Sequence, residues 1–343
     1  MSQRLHRCAF LVEPGRIEIR EVPLPVPAAG EVLLRIDCAL AGGTDLKAYL
    51  RGHPQIPMPG PFGHRYSGTV VQLGPGAPPF EIGQPVMGVH SAPCGQCPLC
   101  RKQKEHLCPY VMRDKVLGAF ADYLCIPKAV AAHNLFERPA SLAAEHAALL
   151  EPVSCVVHGL NLLAWDRVER VLVLGCGTMG LLFLQLLPRF TTAQRFAAGR
   201  RTARLQLAKP FAVDVWDVTS VSLAERLPAT ERFDCVIECT GKLDGWQEAF
   251  ARTAPGGQVL LFGGLPKGTI FEVDSYRAHY EEVAILGSFH FTPRDVLQAR
   301  EMLLAGEVRV DGLISDSFPL TRLEEALLSL KDGRGLQYAI VPG

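Results

Sequence analysis

The chain has no charge imbalance: 35 Lys and Arg offset 35 Asp and Glu over 343 residues. Without net charge there is no long-range attraction to a polyphosphate or an anionic bilayer, which argues against nucleic-acid and membrane-surface roles. Long apolar runs are also missing. The longest candidate, 171–187, is interrupted by glycines and stops at Pro188, short of the roughly 20 residues of a spanning helix. The opening MSQRLHRCAFLVEPG lacks the apolar core of a signal peptide, so a cytoplasmic protein is expected. There is no internal repeat and no low-complexity segment, which excludes solenoid and disordered classes. What remains, 48% hydrophobic and 20% charged residues, is the composition of a globular chain long enough for two domains.

Cysteine, by contrast, is plentiful, and four of the eleven are spaced C-x2-C-x2-C-x7-C at Cys94, Cys97, Cys100 and Cys108. Four thiolates within fifteen residues can close a tetrahedral shell around Zn²⁺. The surrounding segment, 91–110, has prolines at 93, 98 and 109 and the polar run 101–106, so it needs something other than an apolar core to hold its shape. A disulfide pair is the alternative, disfavoured in a reducing compartment. Four sulfur ligands leave no open position, so the zinc expected here, one per subunit, is structural. The lobe is basic but carries no aromatic stacking platform, which argues against a nucleic-acid-binding ribbon. The other seven cysteines sit mostly in apolar runs and read as buried free thiols.

Residues 1–90 read as short strands: 16–20, 31–38, and 67–73 closed by Gly74-Pro75-Gly76. Helices are expected over 141–150 and from Pro152 to Leu163. From Arg170 the pattern changes. Apolar strands at 171–174, 195–198, 213–216, 235–239, 258–262 and 283–286 alternate with helical segments. That alternation predicts an α/β fold with a doubly wound parallel sheet covered on both faces. Helices over 293–305 and 323–330 and a strand over 337–341 complete the reading.

Between the strand 171–174 and the following apolar helix lies Gly175-Cys176-Gly177-Thr178-Met179-Gly180, a G-x-G-x-x-G. The hexapeptide alone is weak; at a strand–turn–helix junction it is a strong dinucleotide signal. Gly175 permits the turn, Gly177 admits the pyrophosphate, and Gly180 lets helix and strand pack closely. The helix N-terminus, with Thr178 and Met179, then faces the phosphates. An NAD enzyme places an acid at the end of the second strand, about 20 residues on. Here that position reads Gly199-Arg200-Arg201. Loss of the carboxylate removes repulsion toward a 2′-phosphate, and guanidiniums supply a fork for it. The expected cofactor is NADP(H). The alternative, two solvated arginines before a helix, leaves the missing acid unexplained.

The cysteine lobe, the fingerprint, and the stretches Gly42-Gly43-Thr44-Asp45, Gly63-His64, Glu151-Pro152, Cys239-Thr240-Gly241 and Gly287-Ser288-Phe289 together resemble the zinc-containing medium-chain alcohol and polyol dehydrogenases. The sorbitol/threonine dehydrogenase-like branch is nearest. The resemblance covers nearly the whole chain. It implies a Rossmann domain at 156–287, inserted in a split, β-rich, GroES-like catalytic domain at 1–155 and 288–343 that carries the zinc lobe 91–110. It implies a homodimer or homotetramer paired through the sheet edge at 283–286, and cofactor contacts from Thr240. It also implies a second, catalytic zinc, and here the chain departs. The family's cysteine ligand is replaced by Gly42, and Gly-His-Glu has become Gly63-His64-Arg65. Only His64 and Glu151 keep ligating chemistry, so this site is expected to be lost or atypical. Thr44 keeps the relay hydroxyl. Lys47 stands where relatives place a proton-shuttling histidine, as an acid–base group or merely a solvated lysine. Asp45 is expected to bond nearby backbone, and Gln337 replaces a basic residue near the cofactor.

The expected function is therefore an NADP(H)-dependent oxidoreductase interconverting a secondary alcohol, polyol or cyclitol with its ketone. The catalytic candidates are Thr44, Lys47, His64 and Glu151. A zinc-free reductase of carbonyls or activated alkenes, with Arg65, Lys47 or His64 stabilising the oxyanion, is one alternative. A non-catalytic NADP(H)-binding protein is the other. Neither the small-molecule substrate nor the direction of reaction can be read from these motifs.

Overall fold

A computed structural model describes residues 4–343. They form two compact units: residues up to Ser154 together with Phe291–Gly343, and Cys155–His290.

The second unit is built on six strands: β1 (Arg170–Leu174), β2 (Gln194–Gly199), β3 (Asp214–Asp217), β4 (Phe233–Glu238), β5 (Thr253–Leu261) and β6 (Ala284–Gly287). All neighbours run parallel, in the order β3-β2-β1-β4-β5-β6. This is the doubly wound order, and it reverses direction beside β1, where such sheets bind dinucleotides. The apolar run of β1 is buried from Val171 to Leu174, as a strand covered on both faces must be. Its core partners include Phe196, Phe233, Val236 and Val259, with Trp216 stacked on Phe196 at a centroid distance of 5.6 Å. Helix Thr178–Leu186 buries Leu181 to Leu184 and Leu186, so it is apolar almost all round, as a helix packed inside the unit should be.

The turn between β1 and that helix depends on two glycines. Gly175 has φ +102°, in the region that L side chains avoid. A Cβ on Gly180 would lie 1.9 Å from the Gly175 carbonyl oxygen, so only glycine lets the helix start this close to the strand.

In the first unit the ten-residue strand Val32–Ala41 is the spine. It pairs antiparallel with Tyr66–Leu73, Tyr123–Ile126 and the C-terminal strand Tyr338–Val341. Pro85–Gly88, Leu135–Glu137 and Asp316–Pro319 extend the sheet. A smaller sheet sets Leu5–Glu13 between Arg16–Pro23 and Gly60–Pro61. Phe62, Tyr66, Phe120, Leu34 and Ile126 fill the core.

Two local readings differ. The helix expected over 141–150 shrinks to Ala144–Ala147, and the next one begins at Leu150. Pro152 then sits in a first turn, where its missing N–H has no helical partner to lose. The helix Gly43–Arg51 was not anticipated. Asp45 stabilises its start by accepting the Gly42 N–H at 2.9 Å, the backbone bond expected of it.

Gly180→Ala drives a methyl group into backbone that cannot yield. It should lower unfolding stability by about 1–3 kcal/mol and weaken nucleotide binding with it. A urea titration with unchanged midpoint would contradict the close packing.

Candidate functional site

In the lobe, the sulfurs of Cys94, Cys97, Cys100 and Cys108 all lie within 4.8 Å of one another. Cys97 and Cys100 Sγ are 3.5 Å apart, and Cys94 and Cys100 4.0 Å. A tetrahedron with Zn–S bonds of about 2.3 Å needs sulfurs about 3.8 Å apart, so the set fits that ion. None of the four forms a disulfide. Backbone N–H groups, that of Gln96 first, draw the Cys94 thiol down to about 7, while burial pushes the Cys100 thiol up to about 12, so the case for metal rests on the sulfur geometry. Only Val111 and Met112 join the cysteines in a local apolar cluster. The lobe has no core of its own to hold it in shape.

A cavity of about 780 Å³ lies over the fingerprint in the second unit. Gly175, Cys176 and Gly177 form one side. Gly199, Arg200, Arg201 and Arg204 form another, and Thr240 and Lys242 a third. Gly177 caps the helix Thr178–Leu186 without laying a side chain across its start. Nothing lies within 4 Å of where its Cβ would be, so backbone is open to a phosphate there. Gly199 ends β2; a Cβ on it would meet Cys176 Sγ at 2.8 Å. The acid's usual position is thus filled from below by the fingerprint cysteine. Arg201 starts the next helix with φ +73°, a rare conformation for a residue with a side chain.

Two residues beside this cavity escaped sequence reading. Arg204 lies in the first turn of the helix Thr202–Ala208, three positions after Arg201 at its N-cap, and both line the cavity. It is half-buried, and burial followed by the charge of Arg201 pushes its pKa down. Glu238, the last residue of β4, is 0% exposed. It accepts the N–H groups of Thr240 at 2.6 Å and Gly241 at 3.1 Å, and the Thr240 hydroxyl. Burial pushes its carboxyl up, against these donors. It holds Thr240 against Gly175, whose Cβ would lie 3.1 Å from Thr240 Cγ2.

The remaining candidates lie in the first unit. Arg65 donates from Nε to Glu151 Oε2 at 2.7 Å and from Nη1 to Gln337 Oε1 at 2.9 Å. Arg65 and Glu151 are each 6% exposed and Gln337 is 0% exposed. Gln337 therefore serves as a buried anchor for Arg65. Burial pushes the Glu151 carboxyl up, but Arg65, His64 and His90 outweigh it and hold it at about 2. His64 Nδ1 lies 3.3 Å from Asp45 Oδ1, and its ring meets His90 edge-on at 5.2 Å. Thr44 is half-exposed and Lys47 exposed on the helix Gly43–Arg51. His53, not singled out in the sequence, belongs to the same neighbourhood. Its Nδ1 accepts the Gln55 N–H at 3.2 Å, and burial, then the charges of His64 and Lys47, push its pKa down.

These residues do not fit a second zinc. Gly42 offers no ligand atom, and a Cβ there would lie 2.6 Å from Arg65 Nη1. Glu151 is bonded to the guanidinium. Among the described residues, the lobe is the one place where three or more Cys, His, Asp or Glu ligand atoms gather closely enough to hold an ion.

Residues 28–135 match the alcohol dehydrogenase GroES-like domain family, and residues 144–333 the family described as glucose dehydrogenase C-terminus. The chain belongs to the zinc-binding medium-chain alcohol and polyol dehydrogenases, a family of oxidoreductases. It is 29% identical to an L-threonine 3-dehydrogenase of Mesorhizobium japonicum over 94% of each chain. It is 26% identical to a zinc-binding dehydrogenase of Sinorhizobium meliloti solved bound to NADP, with a TM-score of 0.86 over 99% of this chain and 100% of that one. The fold is shared with L-idonate 5-dehydrogenase of Escherichia coli, at 22% identity and a TM-score of 0.86 over 99% of each chain.

Glu151→Gln leaves the Arg65 charge buried without its counterion and should cost about 3–5 kcal/mol at pH 7 by urea unfolding. The folded carboxyl titrates at about 2, below its unfolded value of about 4.3. Its contribution is complete above the unfolded value and is lost as pH falls toward 2, so the advantage of the unmodified protein over the variant should shrink across that window. For the lobe, Cys97→Ser should abolish zinc binding there and raise hydrogen exchange selectively in residues 91–110; unchanged protection would mean that the lobe holds its shape without metal.

Proposed function

We propose that this protein is a cytoplasmic NADP(H)-dependent oxidoreductase that interconverts a secondary alcohol, polyol or cyclitol and its ketone, with one structural zinc per subunit. The observation that carries the cofactor preference is the cluster Arg200, Arg201 and Arg204 around a cavity whose acid position holds Gly199. A 2′-phosphate bearing nearly two negative charges finds guanidinium donors there and no carboxylate at the position that would repel it. Gly177 and the helix start at Thr178 and Met179 would hold the pyrophosphate, and Thr240 would bound the far side. The solved relative bound to NADP is consistent with this. When bound, the cofactor donates or accepts the hydride.

For the substrate, the likeness to proteins named threonine 3-dehydrogenase supports a secondary alcohol or its ketone. Thr44 and Lys47 move the proton of the substrate oxygen between the site and solvent. His64, set against Asp45, is the third polar group at the reacting end, and Glu151 acts by holding Arg65. Without a Lewis acid at the substrate oxygen both directions are slowed together, because they share one transition state, and the cofactor ratio and pH set the direction.

The chain would act as a homodimer or homotetramer. At the sheet edge β6, Ile285 is 39% exposed, and Tyr276 and Tyr280 beside it are more so. An apolar, unpaired edge of this kind needs covering. No helix in the described residues is long and apolar enough to cross a membrane.

Arg201→Ala and Arg204→Ala should each lower kcat/KM for NADPH about 10- to 100-fold, the scale of one lost charge-assisted bond, and leave the value for NADH nearly unchanged. A panel of ketones with each cofactor provides the measurement. A preference for NADH in the unmodified protein would overturn the cofactor assignment. Tight NADPH binding with no turnover across the panel would favour the nucleotide-binding reading, which Gly42 and Arg65 motivate.

A further inference from the structure

We propose that Arg65 is the resident cation of the reacting site, standing where the family's catalytic zinc would be and polarising the substrate oxygen in its place. The role in catalysis rests on the oxidoreductase reading above; the occupancy of the site does not. Three observations carry it.

First, the guanidinium is fixed. It is bonded at Nε to Glu151 and at Nη1 to Gln337, residues 86 and 272 positions away in sequence. A side chain held at two points by buried partners cannot swing aside for an ion. Second, the space is exclusive. The ideal Cβ of position 42 would be 2.6 Å from Arg65 Nη1 and 3.6 Å from Gln337 Oε1. The guanidinium fits because Gly42 has no side chain, and a metal-binding side chain at 42 would fit only if the guanidinium left. Gly42 and Arg65 thus behave as one coupled replacement. Third, the charge is already supplied. Glu151, a potential zinc ligand, already spends Oε2 on the Arg65 guanidinium at 2.7 Å, with both side chains buried. A divalent ion would meet a fixed positive charge within a few ångströms, in a buried setting where water screens little.

Arginine suits this role because it stays protonated across the whole working pH range. As a carbonyl oxygen takes on negative charge, a preorganised cation stabilises it without itself moving. A guanidinium is a weaker electrophile than Zn²⁺, and it cannot take the oxygen as a ligand.

The test begins with zinc per subunit, measured by elemental mass spectrometry on protein purified without chelator. One zinc is expected, falling to none in Cys97→Ser. Two zincs, with one retained in Cys97→Ser, would overturn the proposal. Gly42→Cys alone should lower the Tm and add no metal. The double variant Gly42→Cys/Arg65→Glu removes the guanidinium and restores donors beside His64 and Glu151, so it should bind a second zinc. If it stays at one while folded by circular dichroism, the coupled-replacement argument fails. Arg65→Gln removes the charge and should reduce kcat for ketone reduction about 100- to 1000-fold with the NADPH dissociation constant unchanged, whereas Arg65→Lys keeps the charge and should recover part of that loss; an unchanged kcat in folded Arg65→Gln would overturn the electrostatic role. One zinc without turnover on any carbonyl would support the occupancy by Arg65 while counting against the oxidoreductase reading.

Discussion

The charge on Arg65 sets the terms for everything around it. A guanidinium with 6% exposure is tolerable only when its hydrogen bonds and its charge are both answered. Glu151 supplies the charge and one acceptor, and Gln337 a second acceptor. These two partners come from a helix in the middle of the chain and from the edge of the C-terminal strand. The pair thus ties the start of the C-terminal strand and the helix Leu150–Asn161 to the segment that enters the strand Tyr66–Leu73. The same constraint reaches backward to Gly42, where any side chain would occupy the guanidinium's space. Glu151 in turn stays ionised although buried, because Arg65, His64 and His90 outweigh its desolvation.

The nucleotide unit is governed by steric rather than electrostatic constraint. Backbone must approach backbone at the turn after β1, and Gly175 and Gly180 allow it. Glu238 then sets the opposite wall by gathering the N–H groups of Thr240 and Gly241 around one buried carboxylate. The arginines at the end of β2 add charge to this frame. Their neighbour Gly199 is required for a reason unrelated to any cofactor, since Cys176 Sγ fills the space a side chain would need. One glycine therefore serves packing beneath and leaves the end of β2 without a carboxylate above.

Much of this was legible in the chain itself. The six-strand alternation, the fingerprint and the cysteine spacing are local patterns, and local patterns report local structure. The strand Leu5–Glu13 and the helix Gly43–Arg51 were not: the helix is short and opens on two glycines, and the strand has no clean alternation. The strand is held by pairing with Arg16–Pro23, and the helix starts where Asp45 reaches back to Gly42. The overlong helix at 141–150 shows that alanine-rich propensity does not fix element ends, since the helix breaks between Ala147 and Leu150. At the candidate site, Arg204 left a faint signal in its three-residue spacing from Arg201. Glu238 and the partnership of Arg65 with Gln337 left none.

The sequence by itself determined the alternation of strands and helices that makes a doubly wound sheet, the dinucleotide turn and a four-thiol lobe that fits zinc, because each strand, the six-residue fingerprint and the fifteen-residue cysteine run is signalled by a local pattern. It also showed that Gly42 and Arg65 depart from a zinc-ligand pattern. Only the tertiary structure decided what the departure means in space. Arg65, Glu151, Gln337 and Gly42 lie far apart along the chain, and their relation is one of exclusion and charge pairing at distances near 3 Å. Such relations have no period and no spacing, and they exist only once the strands have brought the four residues together.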